Sequence, residues 1–157
     1  MYDLNKSQIM ELFQFDNAAK VISAAYIASS SGNVQTGDVV HLSFPGSNGD
    51  CHVKSGHINN AESYVIKIAS GFYDNPSKGL PSSNGMMLAF SASTGEPKAI
   101  LRDEGWLTDM RTGIGGAVAT KALAAKNAEK VLIIGSGIQA QFQAKCLASL
   151  MPERPFK

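Results

Sequence analysis

The segment EKVLIIGSGIQAQ (residues 129–141) decides the fold class, because an apolar run there meets a glycine-rich turn and then a helical pattern. The run KVLII has no polar break, which is typical of a strand covered on both faces in a parallel sheet. The residues IQAQFQAKCLASLM that follow have the apolar spacing of a helix. The order of strand, turn and helix therefore predicts the opening βα unit of a parallel α/β sheet.

The turn itself spaces its small residues as Gly135, Gly137 and Ala140. In a dinucleotide site the first glycine makes a tight turn, the second lets the backbone approach a pyrophosphate, and a small third residue lets helix and strand pack closely. The N-terminus of the helix then offers N–H groups and a partial positive charge to the phosphates. We therefore predict a dinucleotide site, with a plain strand-to-helix turn as the alternative.

Upstream of this unit the sequence predicts a β-rich region that follows N-terminal helices. Asp16 can cap a helix that ends near Gly32, and a shorter helix is expected around residues 7–13. The segments DVVHLSF and CHVKS, on either side of PGSNGD, predict a hairpin. Alternating apolar residues predict three further strands, in the segments SYVIKIAS, MMLAFSA and KAIL. The loop GFYDNPSKGLPSSNG, about 15 residues, is long enough to suggest a function.

The segment WLTDMRTGIGGAVATKALAAKN predicts a helix capped by Thr108 and ending near Asn127. Arg111 is then in the first helical turn, where the helix dipole disfavours a cation and an anion would stabilise it. From the local sequence, Arg111 is either a solvated charge beside Asp109 or a ligand-binding group. Glycine is unfavourable within a helix, so the glycines at 113, 115 and 116 indicate that another helix or a ligand approaches this face closely.

Lys67 lies in the strand SYVIKIAS, on the face opposite Tyr64, Ile66 and Ile68. It either faces water or, in a closed cleft, holds a carboxylate or moves a proton. We expect no metal site near Cys51 and His52, because neighbouring strand residues point to opposite faces and no further ligand completes a set.

Composition excludes several classes of protein. The apolar fraction is 44%, the charged fraction 17% and the net charge +1, so no basic surface for nucleic acid or an anionic membrane is expected. There is no signal-peptide pattern and no apolar run of about 20 residues, and the two cysteines match no metal or redox spacing. We therefore predict a cytoplasmic protein with reduced thiols.

Four blocks taken together are similar to the ornithine cyclodeaminase and μ-crystallin family. Their order and spacing match across nearly the whole chain. The blocks are VIKIASGFYDNPSKGLPSSNG, STGEP, LTDMRTG and VLIIGSGIQAQFQ.

The resemblance implies an NAD- or NADP-dependent enzyme of amino acid metabolism, an oxidoreductase or a lyase. Family reactions include cyclising deamination of ornithine, reduction of cyclic imino acids and alanine dehydrogenation, whereas μ-crystallin binds NADPH and thyroid hormone. The implied chemistry is hydride transfer at the nitrogen-bearing carbon of an amino or imino acid. By similarity Lys67 and Arg111 are catalytic residues that hold the substrate carboxylate in a shared pocket.

The resemblance also implies a set of cofactor-binding residues. These are Ser82, Arg111, Thr112, Gly135, Gly137, Ile138 and Gln139. Ser82 falls where many members have a threonine near the cofactor.

The sequence departs from the family pattern in three places. A substrate-binding arginine is absent, and ungapped spacing puts His41 in its place. The segment RTGIGG has glycines where alanines are commoner. The rest of the Rossmann domain does not follow residue 157, including the ribose-binding acidic residue and the catalytic aspartate of the cyclodeaminases. The choice between NAD and NADP is therefore open, and the chain by itself is expected to be inactive.

The predicted fold class is α/β, an α+β substrate-binding and dimerisation domain (1–112) followed by a linking helix and the first βα unit of a Rossmann fold (113–157). Because one strand and one helix cannot bury their apolar faces alone, we expect the tail to pack on its own β domain or on another copy, in a homodimer or higher homo-oligomer. The alternative function is a non-catalytic ligand-binding or assembly module.

Overall fold

The computed structural model describes residues 1–154, which contain four α-helices and one seven-stranded sheet. The predicted mixed α/β class is confirmed. In chain order the elements are β1 (Tyr2–Asn5), α1 (Lys6–Leu12), α2 (Phe15–Ser30), β2 (Val34–Thr36), β3 (Val40–Phe44), β4 (Gly49–Ile58), β5 (Ser63–Phe72), β6 (Ser83–Ser91), β7 (Pro97–Arg102), α3 (Trp106–Leu123) and α4 (Ile138–Leu150).

The chain divides into two compact units, which differ from the predicted division at residue 112. The first contains residues 1–12 and 28–106; the second contains residues 13–27 and the chain from Leu107 onward. The domains 1–112 and 113–157 stay a prediction. Residues 155–157 of the second predicted domain lie outside the described residues.

The first unit is built on the sheet, whose strand order is β1-β7-β6-β5-β4-β2. Strand β3 also pairs with β4, and the turn-rich segment between these two strands makes the predicted hairpin, with Phe44 opposite Gly49. Strands β4 to β7 pair antiparallel in sequence order, whereas β1 pairs parallel to β7. Of the strand residues in the described chain only Ser91 is buried, so both faces of the sheet keep exposed surface.

The second unit packs α3 and α4 against the part of α2 up to Ile27. Its buried apolar residues are Ala19, Ile114, Ala117, Cys146, Leu147 and Met151. Burial raises the pKa of the Cys146 thiol, which therefore stays protonated and packs as an apolar group.

The glycines of α3 allow this packing. A Cβ at Gly113 would lie 2.7 Å from the backbone oxygen of Phe142, and one at Gly116 would overlap the Gln143 amide, both on α4. A Cβ at Gly115 would lie 2.5 Å from the Tyr26 hydroxyl on α2. A backbone contact therefore requires glycine at 113, whereas at 115 and 116 the nearest atoms belong to side chains of the neighbouring helices.

Several predicted elements differ from the structure. Helix α2 begins at Phe15, so the predicted cap Asp16 lies in its first turn. The run KVLII forms no strand, because no strand pairs with it in the described chain; Leu132 and Ile134 are 85% and 90% exposed. Helix α3 begins at Trp106, two residues before the predicted cap Thr108, and ends at Leu123 rather than near Asn127. Arg111 is consequently in the second helical turn, where the dipole disfavours a cation less.

Replacement of Gly113 by alanine should destabilise the chain by about 1–3 kcal/mol, because the new methyl group meets a backbone carbonyl that cannot rotate away. Urea unfolding followed by circular dichroism measures the loss. Gly46→Ala is the control, since a Cβ at Gly46 has no atom within 4 Å. Equal stabilities of the two variants would contradict the packing described for α3 and α4.

Candidate active site

Lys67 lies at the centre of the sheet, in β5 between β4 and β6. Its Cα is paired with Lys54 on one side and with Met87 on the other. The residue is half-buried, which is intermediate between the water-facing and the closed environments considered from sequence. The register decides which side chains share its face.

His41 lies on the same face of the sheet as Lys67. Its pair across the hairpin is His52, which is in turn paired with Ala69, two residues from Lys67. The rings of His41 and His52 stack with their centroids 4.6 Å apart. Because residues two apart in a strand point to the same side, one face carries His41, His52, Lys54 and Lys67. We call this the Lys67 face.

Sequence reasoning missed an acid on the Lys67 face. Asp50 accepts a hydrogen bond from the Tyr73 hydroxyl at 3.2 Å, and its other oxygen lies 3.5 Å from Nδ1 of His52. The negative charge of Asp50 raises the pKa of Tyr73, and the hydrogen bond adds to the effect. The arrangement could have been predicted from the sequence, because Asp50, His52 and Lys54 alternate along β4 and so point to one face.

The predicted long loop is shorter than expected, since β5 continues to Phe72 and β6 begins at Ser83. A 3-10 turn at Asn75–Lys78 shapes the loop, and Gly79 follows it in the left-handed region at φ +71°. The Ser82 carbonyl accepts a hydrogen bond from the Phe72 amide at 2.8 Å. Ser82 is half-buried and lines a small cavity of about 110 Å³.

In the second unit, Arg111 and Thr112 occupy neighbouring positions of α3 with different environments. Arg111 is exposed. The Thr112 hydroxyl donates to the Thr108 carbonyl at 2.7 Å, and the Thr112 carbonyl accepts from the Gln143 amide at 3.2 Å. Thr112 thus helps to hold α4 beside α3.

The glycine turn has a backbone conformation that requires glycine at its first position. Gly135 has φ +112°, which L-residues rarely adopt. Gly137 is the N-cap of α4, has an ordinary φ of −71° and receives no side-chain cap. A Cβ at Gly137 would have no atom of the described chain within 4 Å, so packing among these residues does not require glycine there.

The first turn of α4 is oriented by α3. The Gln139 side chain donates to Asp109 Oδ1 at 2.6 Å. The side-chain oxygen of Gln139 is buried and has no hydrogen-bond partner within the described residues. Ile138 is 47% exposed, next to the uncapped helix end. The backbone N–H groups at the start of α4 have no side-chain cap and lie beside an open glycine, a setting that suits an anion, whereas the buried Gln139 oxygen can only accept a hydrogen bond.

The sequence pattern of the Ornithine cyclodeaminase/mu-crystallin family matches residues 3–154. The chain belongs to this family. An uncharacterised cyclodeaminase of Sinorhizobium fredii is 39% identical to it over 96% of this chain and 46% of that protein. The chain spans about half the length of the relatives it matches.

Solved structures agree with this membership. The Thermococcus litoralis Δ1-pyrroline-2-carboxylate reductase, in complex with NADH and L-proline, has a TM-score of 0.87 at 29% identity, covering 95% of this chain and 46% of that one. An archaeal alanine dehydrogenase dimer with bound NAD has a TM-score of 0.84 at 26% identity, covering 100% and 54%.

Two further features concern the described part of the chain alone. No group of three or more His, Cys, Asp or Glu side chains in residues 1–154 could hold a metal ion. None of the helices described is both long enough and apolar enough to cross a membrane.

Replacement by serine should have opposite effects on the stability of the chain at the two glycines of the turn. Gly135→Ser should cost about 1–3 kcal/mol, because a side chain is strained at that φ. Gly137→Ser should be neutral or add up to about 1 kcal/mol, because serine is a good N-cap and its Cβ has space. Urea unfolding of the pair checks this, and a loss of stability in Gly137→Ser would contradict the open geometry at that position.

Proposed function

We propose that this chain provides the substrate face and the phosphate turn of an NAD(P)-dependent enzyme that transfers hydride at the nitrogen-bearing carbon of an amino or cyclic imino acid. The observation that carries the proposal is the uncapped start of α4 behind the open Gly137. Family membership supports it, as do relatives named alanine dehydrogenase and Δ1-pyrroline-2-carboxylate reductase.

In this proposal Gly135 and Gly137 let the backbone approach the pyrophosphate, and the amides of Ile138 and Gln139 donate to it. Thr112 holds α4 in place through the hydrogen bond from Gln143 to its carbonyl. Arg111 and Ser82 are further cofactor-binding residues in this proposal. The nicotinamide, when bound, supplies or accepts the hydride. Support for a fit comes from the absence, within residues 1–154, of any contact that needs glycine at 137.

Lys67 and Arg111 are proposed to bind the substrate carboxylate, each as a cation. Half-burial of Lys67 between two strands limits its motion, which favours a positioning role for its ammonium group. His41 is proposed as an additional substrate contact, since it shares the Lys67 face. No covalent nucleophile is required, and binding plus electrostatic stabilisation account for the role of these groups. We place the protein in the cytoplasm, where its thiols stay reduced.

Cofactor binding is tested by titrating the chain with NADH and following its backbone amides by NMR. We expect chemical-shift changes in the amides of residues 135–139. The variant Gly137→Ser should bind NADH roughly tenfold more weakly, equivalent to about 1.4 kcal/mol, because its side chain fills the space through which the pyrophosphate approaches the backbone. Gly46→Ser, which also enters open space, should bind as the parent chain does. If NADH does not change the chemical shifts of residues 135–139, the proposed function fails and the alternative of a non-catalytic module is favoured.

We also propose that the chain forms a homodimer through the sheet face opposite Lys67. That face carries apolar residues from several strands, namely Val53, Tyr64, Ile66, Ile68, Met86, Leu88 and Ile100. None of them is buried within the chain, although β-branched and aromatic faces gain stability by burial. The alanine dehydrogenase neighbour is itself a dimer.

Sedimentation velocity at micromolar concentration should therefore give a dimer. Ile66→Lys should dissociate it, since a charge on an apolar interface loses its solvation without gaining a partner. Val65→Lys, on the adjacent position but the other face, should leave the dimer intact. Circular dichroism confirms that both variants fold, and a monomeric parent chain would refute the proposal.

A further inference from the structure

The tripeptide Ser-Asn-Gly occurs twice in the sequence, at residues 47–49 and 83–85. Asparagine before glycine is prone to lose its side-chain amide, because glycine has no side chain to shield its backbone nitrogen from the asparagine carboxamide. Asn48 and Asn84 are both exposed. Because the two copies have the same flanking residues, a difference in reactivity between them reports on the fold.

In the second copy the fold holds the reacting groups together. The Gly85 backbone N–H donates to Oδ1 of Asn84 at 2.8 Å, so the Gly85 nitrogen is also near Cγ, to which that oxygen is bonded. A Cβ at Gly85 would lie 2.5 Å from the carbonyl oxygen of Ile68, so a larger residue does not fit there. Strand β6 pairs with β7 only from Met87 onward, so Gly85 lies outside that ladder. Groups held close in this way lose little further entropy in reaching a transition state.

In the first copy other groups engage the asparagine. The Asn48 side-chain nitrogen donates to Oδ1 of Asp74 at 2.9 Å, and its backbone carbonyl accepts from the Tyr73 amide at 3.0 Å. Within residues 1–154 the Asn48 side chain makes no hydrogen bond to the Gly49 amide. For the carboxamide carbon to reach the Gly49 nitrogen, the side chain has to rotate and the bond to Asp74 has to break.

We propose that Asn84 is a site of deamidation, for which the chain itself supplies the nucleophile, and that Asn48 is protected. The Gly85 nitrogen attacks Cγ of Asn84, forming the N–C bond of a cyclic succinimide, and the Cγ–Nδ2 bond breaks. The Gly85 amide proton leaves with Nδ2, which departs as ammonia. Water then opens the ring at either carbonyl carbon and leaves aspartate or isoaspartate at position 84. Water is the only co-reactant, and no electrons pass to or from another group.

The products differ from the parent chain in charge and, for isoaspartate, in the length of the backbone. Asn84 lines the cavity of about 110 Å³ that Ser82 also lines, so conversion places a carboxylate in that cavity. Isoaspartate adds a carbon to the main chain of β6 where Asn84 pairs with Ser70, which weakens the ladder there. The modification therefore acts at the end of the loop that carries Ser82.

Deamidation is measured by incubating the full chain in mildly alkaline buffer and mapping its peptides by mass spectrometry. The protein is kept dilute, because Asn84 lies on the same side of β6 as Met86, at the end of the face proposed for the homodimer. Asn84 should convert roughly fivefold faster than Asn48, equivalent to about 1 kcal/mol in activation free energy. In urea the ratio of the two rates should approach one, because the unfolded chain keeps only the shared tripeptide.

The variant Asp74→Ala removes the acceptor of the Asn48 side chain and should bring the ratio of the two rates closer to one. The matched control is Asp38→Ala, at an exposed acid that makes no ion pair in the described part of the chain; it should leave the ratio unchanged. Circular dichroism verifies that both variants fold. Asn84→Gln keeps an amide that can react only through a larger, less favourable ring, so conversion at position 84 should disappear.

Equal rates at the two asparagines of the folded chain would overturn the proposal, as would faster conversion of Asn48 or a ratio that persists in urea. It is also overturned if Asn84 stays unmodified in the folded chain while the unfolded chain reacts. No response to Asp74→Ala would overturn the protection assigned to Asn48. Faster conversion of Asn84 that is lost on unfolding supports the proposal.

Discussion

The antiparallel register between β4 and β5 is the constraint on which the Lys67 face depends. Eight consecutive pairs, from Gly49 opposite Phe72 to Gly56 opposite Val65, join these strands without an irregularity. Side chains alternate along a strand, so a slip of one residue would move Lys67 to the other face relative to its partners. The same register sets Lys54 beside Lys67 and keeps His52 and Asp50 in their row.

A second constraint, close helix packing, governs the second unit. The missing side chains at Gly113 and Gly116 let the backbone of α3 approach α4, and hydrogen bonds from Gln139 and Gln143 then fix the approach. The start of α4 is therefore held in place by its neighbour rather than by a cap of its own. A helix end fixed in this way can keep its N–H groups for a ligand, and family membership indicates which kind of ligand to test.

Much of the fold could be predicted because its strands are regular. Strands β3 to β7 have alternating or β-branched runs bounded by turn residues, and each was expected near its observed position. Strands β1 and β2 were missed, since each has only three or four residues and is held by its partners β7 and β4. The run KVLII was predicted as a strand and is not one, because a strand exists only with a partner to pair with.

The sequence by itself determined the class of the protein, through the glycine turn after an apolar run and the spacing of four blocks, since such patterns depend only on neighbours along the chain. It also singled out Lys67, but it could not say what surrounds that residue. Tertiary structure alone decided that Lys54, thirteen residues away, is its neighbour, and that Gly113 of α3 serves helix packing. Contacts between distant segments are set by strand register and helix approach, which no local pattern encodes.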